Sequence, residues 1–335
     1  MATTCKVKLI SATRQEGGET RVPFWHLHSG RPGETLLVMA AQHGNEVQGC
    51  EVIRAFREVC ARDLTRGEVY LLPFANPPAV RHRRSHTTLA GEQPYGEDRG
   101  ENMNRTWPGD PAGNDTQRLS HALHQALVSR CDHVLDLHSW SRFTATCTLV
   151  RAECANAMAM ADAAQIRFAM KQERPQLAEG APAPVGVPFN NDGRGALCLE
   201  LAPQWVIRPK EVRQGLRAAT NIAKLFGLMA GEMERIEGPL VYFGAAEREA
   251  RTQTVRAPRS GLFVENGLET SDYVEVGQKL GHLICDEDLE TIEIVAPVSG
   301  YLWLYGCHRE HCDVRLPAMH PYANEGDILA AVMTS

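Results

Sequence analysis

The stretch Thr35 to Glu46, TLLVMAAQHGNE, decides the fold. Leu36 to Ala41 is an unbroken apolar run of the kind that forms a strand buried on both faces, and HGN ends it with turn-forming residues. The following EVQGCEVIRAFREVC carries Val47, Cys50, Val52, Ile53, Phe56 and Val59 at near-helical spacing. Strand, turn and helix in that order form one unit of an α/β layer architecture.

The unit recurs along the chain. GEVYLLPFANPP reads as a second buried strand closed by prolines, and TQRLSHALHQALVSRC places Leu119, Leu123, Ala126 and Leu127 on one helical stripe leading into the strand HVLDLHS. ALCLELAP follows the turn-rich NNDGRG as a further strand. After Pro209, KEVRQGLRAATNIAKLFGLMAG reads as a long amphipathic helix that stops at glycine. From about Glu237 the pattern changes to short β-rich pieces with an imperfect repeat: APRSG at 257–261 returns as APVSG at 296–300, and VEVGQKLG is echoed by NEGDILA. The expectation from this pattern is an α/β domain built around one sheet over residues 1–236 and a smaller C-terminal β domain over 237–335 whose two halves close on each other.

With 335 residues, two domains are the natural division. A net charge of -6, with no long block of either sign, points away from nucleic acid and anionic membranes. No apolar stretch reaches the length of a signal sequence or a membrane span, and ten irregularly spaced cysteines without Cys-x-x-Cys fit reduced thiols. The chain reads as a cytoplasmic protein, with self-association left open.

His43 and Glu46 lie just past the first strand, and ligands in open α/β sheets bind beyond the carboxyl ends of strands. His138 ends VLDLHS, and Glu200 stands inside the otherwise apolar CLELAP. A buried unpaired carboxylate is costly unless a cation or donor meets it. Each residue also has a plain structural reading: a polar turn, a satisfied core histidine, a Glu200 paired with Arg194. Together they offer more, because a catalytic zinc site takes three histidine and carboxylate ligands, which His43, Glu46 and His138 supply, and leaves Glu200 as a general base. Asp136 is a candidate support for the metal ligands or, equally, a residue that serves only the orientation of its strand. In ENMNRTWPG, Asn104 and Arg105 suit a substrate carboxylate or, equally, a loop held by its own hydrogen bonds. Arg194 is a candidate second anion contact or oxyanion stabiliser or, equally, a residue that holds its loop.

The order HGNE, NMNR, DLHS, ELAP resembles the succinylglutamate desuccinylase and aspartoacylase family of zinc-dependent amidohydrolases, relatives of the zinc carboxypeptidases. The resemblance implies one zinc per chain held by His43, Glu46 and His138, Glu200 as the catalytic carboxylate, and Asn104 with Arg105 on the amino-acid carboxylate. A further family arginine before the Asn-Arg pair has Arg83, Arg84 and Arg99 as candidates. The tail resembles the C-terminal barrel of the family's predicted deacylase branch and, more distantly, a biotinyl or lipoyl carrier domain with Leu289 at the position of the modified lysine. The resemblance further implies a zinc carboxypeptidase-like mixed sheet flanked by helices in a catalytic domain over 1–236, a β-barrel over 237–335 that caps the active site, and hydrolysis of a small N-acyl amino acid or acylated amine as the activity. A carboxypeptidase for short peptides and a non-catalytic binding or carrier protein are the competing classes. The cluster Cys307, His308, His311 and Cys312 fits no common zinc spacing and reads as a loop, and the run RHRRSH at 81–86 reads as solvated or as part of the site's rim.

Overall fold

The computed structural model describes residues 3–87, 101–140, 143–178, 181–308 and 320–334. It divides into two compact units, residues up to 140 with 147–240, and 143–146 with 241 onward. The first unit contains strands β1 (Thr4–Thr13), β2 (Glu19–His28), β3 (Thr35–Ala40), β4 (Glu68–Leu72), β5 (His133–Ser139), β6 (Cys147–Arg151), β7 (Phe168–Gln172) and β8 (Ala196–Leu201). Their spatial order is β1-β2-β4-β3-β5-β8-β6-β7. The central strands β4, β3, β5 and β8 are parallel, whereas β2 meets β4 and β6 meets β8 antiparallel. This is the mixed sheet flanked by helices that the family resemblance implies.

The helices are α1 (Gln48–Asp63), α2 (Pro77–His82), α3 (Asp115–Ala126), α4 (Ala155–Ala164), α5 (Gly186–Asn191) and α6 (Pro209–Leu225). Helix α1 buries Val52, Ile53, Phe56 and Cys60, and each fully buried large aliphatic or aromatic side chain stabilises by about 1.5–3 kcal/mol. Its first turn comes close to the sheet at Gly49, where an added Cβ would lie 2.7 Å from those of Ala40 and Leu137. Helix α3 begins with a capping box, Asn114 accepting from the Gln117 amide and the Gln117 side chain accepting in return. Its Leu119 and Leu123 join Leu37, Met39, Leu72 and Val134 in one core. The expected stripe is therefore the buried one.

In the second unit, Thr252–Arg256, Ile328–Met333, Gly300–His308 and Tyr273–Val274 form one antiparallel sheet, while Thr291–Val295, Lys279–Cys285, Gly261–Glu265 and Tyr322–Ala323 form another. Both contribute to a single core that includes Phe263, Leu283, Leu302 and Val332. Each sheet takes strands from both sequence halves, so the halves interleave. The repeated glycine has a physical basis: a Cβ at Gly261 would lie 2.2 Å from the Ile284 carbonyl oxygen, and one at Gly300 would lie 2.4 Å from that of Met333. Leu289 sits in the turn after Lys279–Cys285, 76% exposed and with φ +64°. Residues 143–146 pair with the strand Gly300–His308 through Ala145 N–H to Trp303 O and Tyr305 N–H to Phe143 O. No pattern in the sequence announces that excursion.

Candidate metal centre

Adjacent parallel strands bring the carboxyl ends of β3, β5 and β8 to one edge of the sheet. The chain leaves β3 through Ala41, whose φ of +54° is unusual for a residue with a side chain. The Ala40 and Ala41 carbonyls accept from Ala75 and Asn76 N–H, which fastens the turn to the end of β4. At Gly44 the turn lies against the main chain of Ala79, which a Cβ would approach to 2.1 Å. That packing delivers His43 and Glu46 to His138 at the end of β5.

One ligand atom from each of His43, Glu46 and His138 lies within 4.8 Å of the others. His43 Nδ1 is 3.0 Å from Glu46 Oε1 and His138 Nδ1 is 2.9 Å from Glu46 Oε2, so both rings turn the same nitrogen inward. Their outer nitrogens are held by acceptors. His43 Nε2 donates to Asn102 Oδ1 at 3.0 Å, and His138 Nε2 donates to Asp136 Oδ2 at 2.9 Å. Asp136 also accepts from Gln42 Nε2 at 2.7 Å, while Trp107 Nε1 donates to Gln42 Oε1 at 2.7 Å. Glu46 accepts further from the Ser139 amide and from Gln204 Nε2.

This set fits a divalent transition metal such as zinc. Two imidazole nitrogens and a carboxylate converge, and each imidazole has its far nitrogen fixed by an acceptor, the usual arrangement around histidine ligands. Without a cation, protons take the same place. Burial opposes the charged form of His43, but the Glu46 carboxylate and the hydrogen bonds of Glu46 and Asn102 outweigh it and raise its pKa. Burial likewise opposes charging of His138, yet Asp136 and Glu46 lift it well above the ordinary value. Glu46 goes the other way: burial favours its neutral acid, and the two histidines together hold it well below the usual carboxylate range. Asn45, Ser85, His86, Asn104, Asp136 and Ser139, in and beside the segments that build the cluster, each keep a buried side-chain polar atom with no hydrogen-bond partner among the described residues. Such atoms ask for water, an ion or a ligand.

Glu200 faces His138 directly across β5 and β8. It is half-buried, and its carboxylate has no hydrogen bond or ion pair among the described residues. Burial, with repulsion from Glu46 and Asp136, raises its pKa to about 7 against the opposing pull of His138 and His43. The plain alternative, pairing with Arg194, is not seen: that guanidinium lies against Cys131, Asp192 and Phe189.

Asn104 and Arg105 lie on a short 3₁₀ turn, Met103–Arg105, pinned by the fully buried Met103. Arg105 is exposed and has no charged partner among the described residues. Arg194 is placed away from the cluster, at the amino end of β8. It donates to Cys131 O at 2.8 Å and to Asp192 Oδ2 at 3.1 Å, and its guanidinium covers the Phe189 ring. These partners belong to the amino ends of β5 and β8; six residues of extended chain, roughly 20 Å, separate Arg194 from Glu200. It secures a turn at the opposite edge.

Three participants lack a signal in the sequence. Gln42 and Asn102 are ordinary polar residues beside the motifs, identified only by their contacts. His86 belongs to the run RHRRSH, of which Arg81 to Arg84 are exposed while Ser85 and His86 are buried. Its ring stands edge-on to His43 at 5.5 Å between centroids, and burial followed by repulsion from His43 lowers its pKa to about 4. Cys307 is buried in the second unit and donates to Tyr322 O. Arg99, His311 and Cys312 lie outside the described residues, as does the His308 side chain.

The family model for the succinylglutamate desuccinylase/aspartoacylase catalytic domain matches residues 32–226. An N-alpha-acetyl-L-2,4-diaminobutyric acid deacetylase from Halomonas elongata is 26% identical over 285 residues, covering 82% of this chain and 77% of the relative. Among solved structures, a succinylglutamate desuccinylase/aspartoacylase from Rhodobacter sphaeroides superposes with a TM-score of 0.64 at 22% identity, covering 99% of this chain and 96% of that one. The product-bound ectoine utilization protein EutE (DoeB) from Ruegeria pomeroyi gives 0.66 at 18% identity, covering 99% and 95%. These structures share the fold.

Proposed function

Since the chain belongs to the succinylglutamate desuccinylase/aspartoacylase family, whose catalytic-domain model spans residues 32–226, we propose that it is a zinc-dependent deacylase that hydrolyses the amide of a small N-acyl amino acid or acylated amine. The observation that carries this reading is Glu200: a carboxylate without a partner among the described residues, in register beside His138. A bound divalent cation would polarise the scissile carbonyl and acidify an attacking water. Glu200 takes the proton from that water and returns it to the departing amine, a task suited to a carboxyl group held near neutrality. His43, Glu46 and His138 hold the cation, with Asp136 and Asn102 fixing the rings. Arg105 and Asn104 receive the substrate carboxylate: Arg105 offers an exposed guanidinium with no charged partner among the described residues, and Asn104 donates through its side-chain Nδ2–H.

The relative from Halomonas acts, by its name, on an acetylated diamino acid, which supports a small acylated amino acid here. Residues 1–236 carry the catalysis in this reading, and 237–335 form a separate β domain without an attachment lysine at Leu289. Free-amine release should be measured across N-acetyl, N-succinyl and N-formyl amino acids, acylated diamines and dipeptides, with zinc-loaded protein. Release from one acylated amino acid or acylated diamine supports the deacylase. Cleavage of dipeptides alone replaces it with a peptidase.

A further inference from the structure

The outer nitrogen of a metal-ligating histidine needs an acceptor, and in His43 that acceptor is shared. Asn102 Oδ1 takes Nε2–H of His43 at 3.0 Å and the main-chain N–H of Asn104 at 3.0 Å. Both partners are donors, so the amide oxygen, not its nitrogen, must face them. One oxygen atom therefore joins the candidate metal cluster to the turn that displays Asn104 and Arg105. The turn has little freedom to absorb a shift elsewhere: Met103 is fully buried, and Arg105 N–H and Thr106 N–H close it onto Asn102 O and Met103 O.

We propose that Asn102 is a positioning residue that couples occupancy of the metal site to the placement of Asn104 and Arg105. This rests on the metal and substrate roles assigned above. The coupling runs through His43. Cation binding requires its Nδ1 lone pair, which fixes the proton on Nε2 and makes the bond to Asn102 obligatory. The same bond orients the Asn102 amide and hence the start of the 3₁₀ turn. By linkage, a group that strengthens the turn when metal is present must also strengthen metal binding when the turn is formed. An asparagine that only closed a local turn would hold Asn104 equally well with and without metal.

The test uses full-length protein stripped of metal and titrated with zinc against a chromophoric chelator. Wild type, Asn102→Ala and Asn102→Asp are compared, and amide hydrogen exchange is followed over residues 101–107 with and without zinc. Zinc should slow exchange over this turn in wild type. Asn102→Ala should bind zinc roughly 10- to 100-fold more weakly and lose the zinc-dependent protection, while Asn102→Asp, which keeps an acceptor for both donors, should restore both. Wild-type exchange that is indifferent to zinc, or an alanine variant that binds zinc as wild type does, overturns the coupling. If the alanine variant does not fold, the wild-type exchange and the aspartate variant still decide it. Wild-type protein that binds no zinc overturns the metal reading and the coupling with it, whereas normal zinc binding with unchanged exchange removes the coupling alone.

Discussion

His138 and Glu200 occupy facing positions on the adjacent parallel strands β5 and β8, which places a carboxylate unpaired among the described residues beside one corner of the His43, Glu46, His138 cluster. Side chains at paired positions project from the same face of a sheet, about 5 Å apart at the backbone. The division of labour follows from that register: Glu46 is occupied by two histidines and a main-chain amide, so Glu200 is the carboxylate left to move a proton.

Asp136→Asn tests the support of His138. Asp136 accepts from His138 Nε2 and from Gln42 Nε2 on the same oxygen, Oδ2, and an amide oxygen there could still accept from both but carries no charge to support the imidazole. Zinc affinity should fall roughly 10- to 100-fold with little loss of fold. Equal affinity by chelator competition would remove Asp136 from the metal centre.

Zinc uptake should depend on pH with a definite sign. The carboxylates around His43 and His138 raise both pKa values, so protons remain on the Nδ1 positions above the ordinary imidazole range and must leave before a cation binds. Affinity measured between about pH 6 and 8 should therefore rise with pH. A flat profile would mean that these nitrogens are not the ligands.

Two arginines should separate cleanly. Arg105→Ala should raise KM by at least about tenfold, the scale of one lost charge-assisted hydrogen bond, and leave the melting temperature unchanged. Arg194→Ala should lower the melting temperature, through loss of the Cys131, Asp192 and Phe189 contacts, without changing KM. The reverse pattern would return Arg194 to the substrate site.

Gly44→Ala should abolish zinc binding in otherwise folded protein. The added methyl group would meet the main chain of Ala79 and Val80, which cannot move aside as a side-chain tip can, so the HGNE turn must shift. Normal metal content in this variant would show that the turn is looser than its packing indicates.

Buried strands and amphipathic helices follow from periodicity, and polar residues stranded at strand ends mark His43, Glu46, His138 and Glu200, because such positions are expensive without a purpose. Asn102, Gln42 and His86 were not legible in the same way. Their roles depend on which loops meet at the sheet edge, and short polar segments carry no periodicity that encodes such a meeting. Arg194 shows the converse. NNDGRG stands only five residues before Glu200 and looks close to it, yet an extended strand carries those residues to opposite edges of the sheet. The pairing of residues 143–146 with the second unit is similarly set by tertiary contacts, since so short a segment has too few positions to display alternation.

The most direct test of the central claim is zinc content and turnover measured together on Glu200→Gln, with a substrate identified from the amine-release panel. The account predicts full zinc occupancy with turnover reduced by at least about 10²-fold, the scale of a lost general base. Loss of zinc would make Glu200 a ligand, and undiminished turnover would contradict the assignment of proton transfer to this residue.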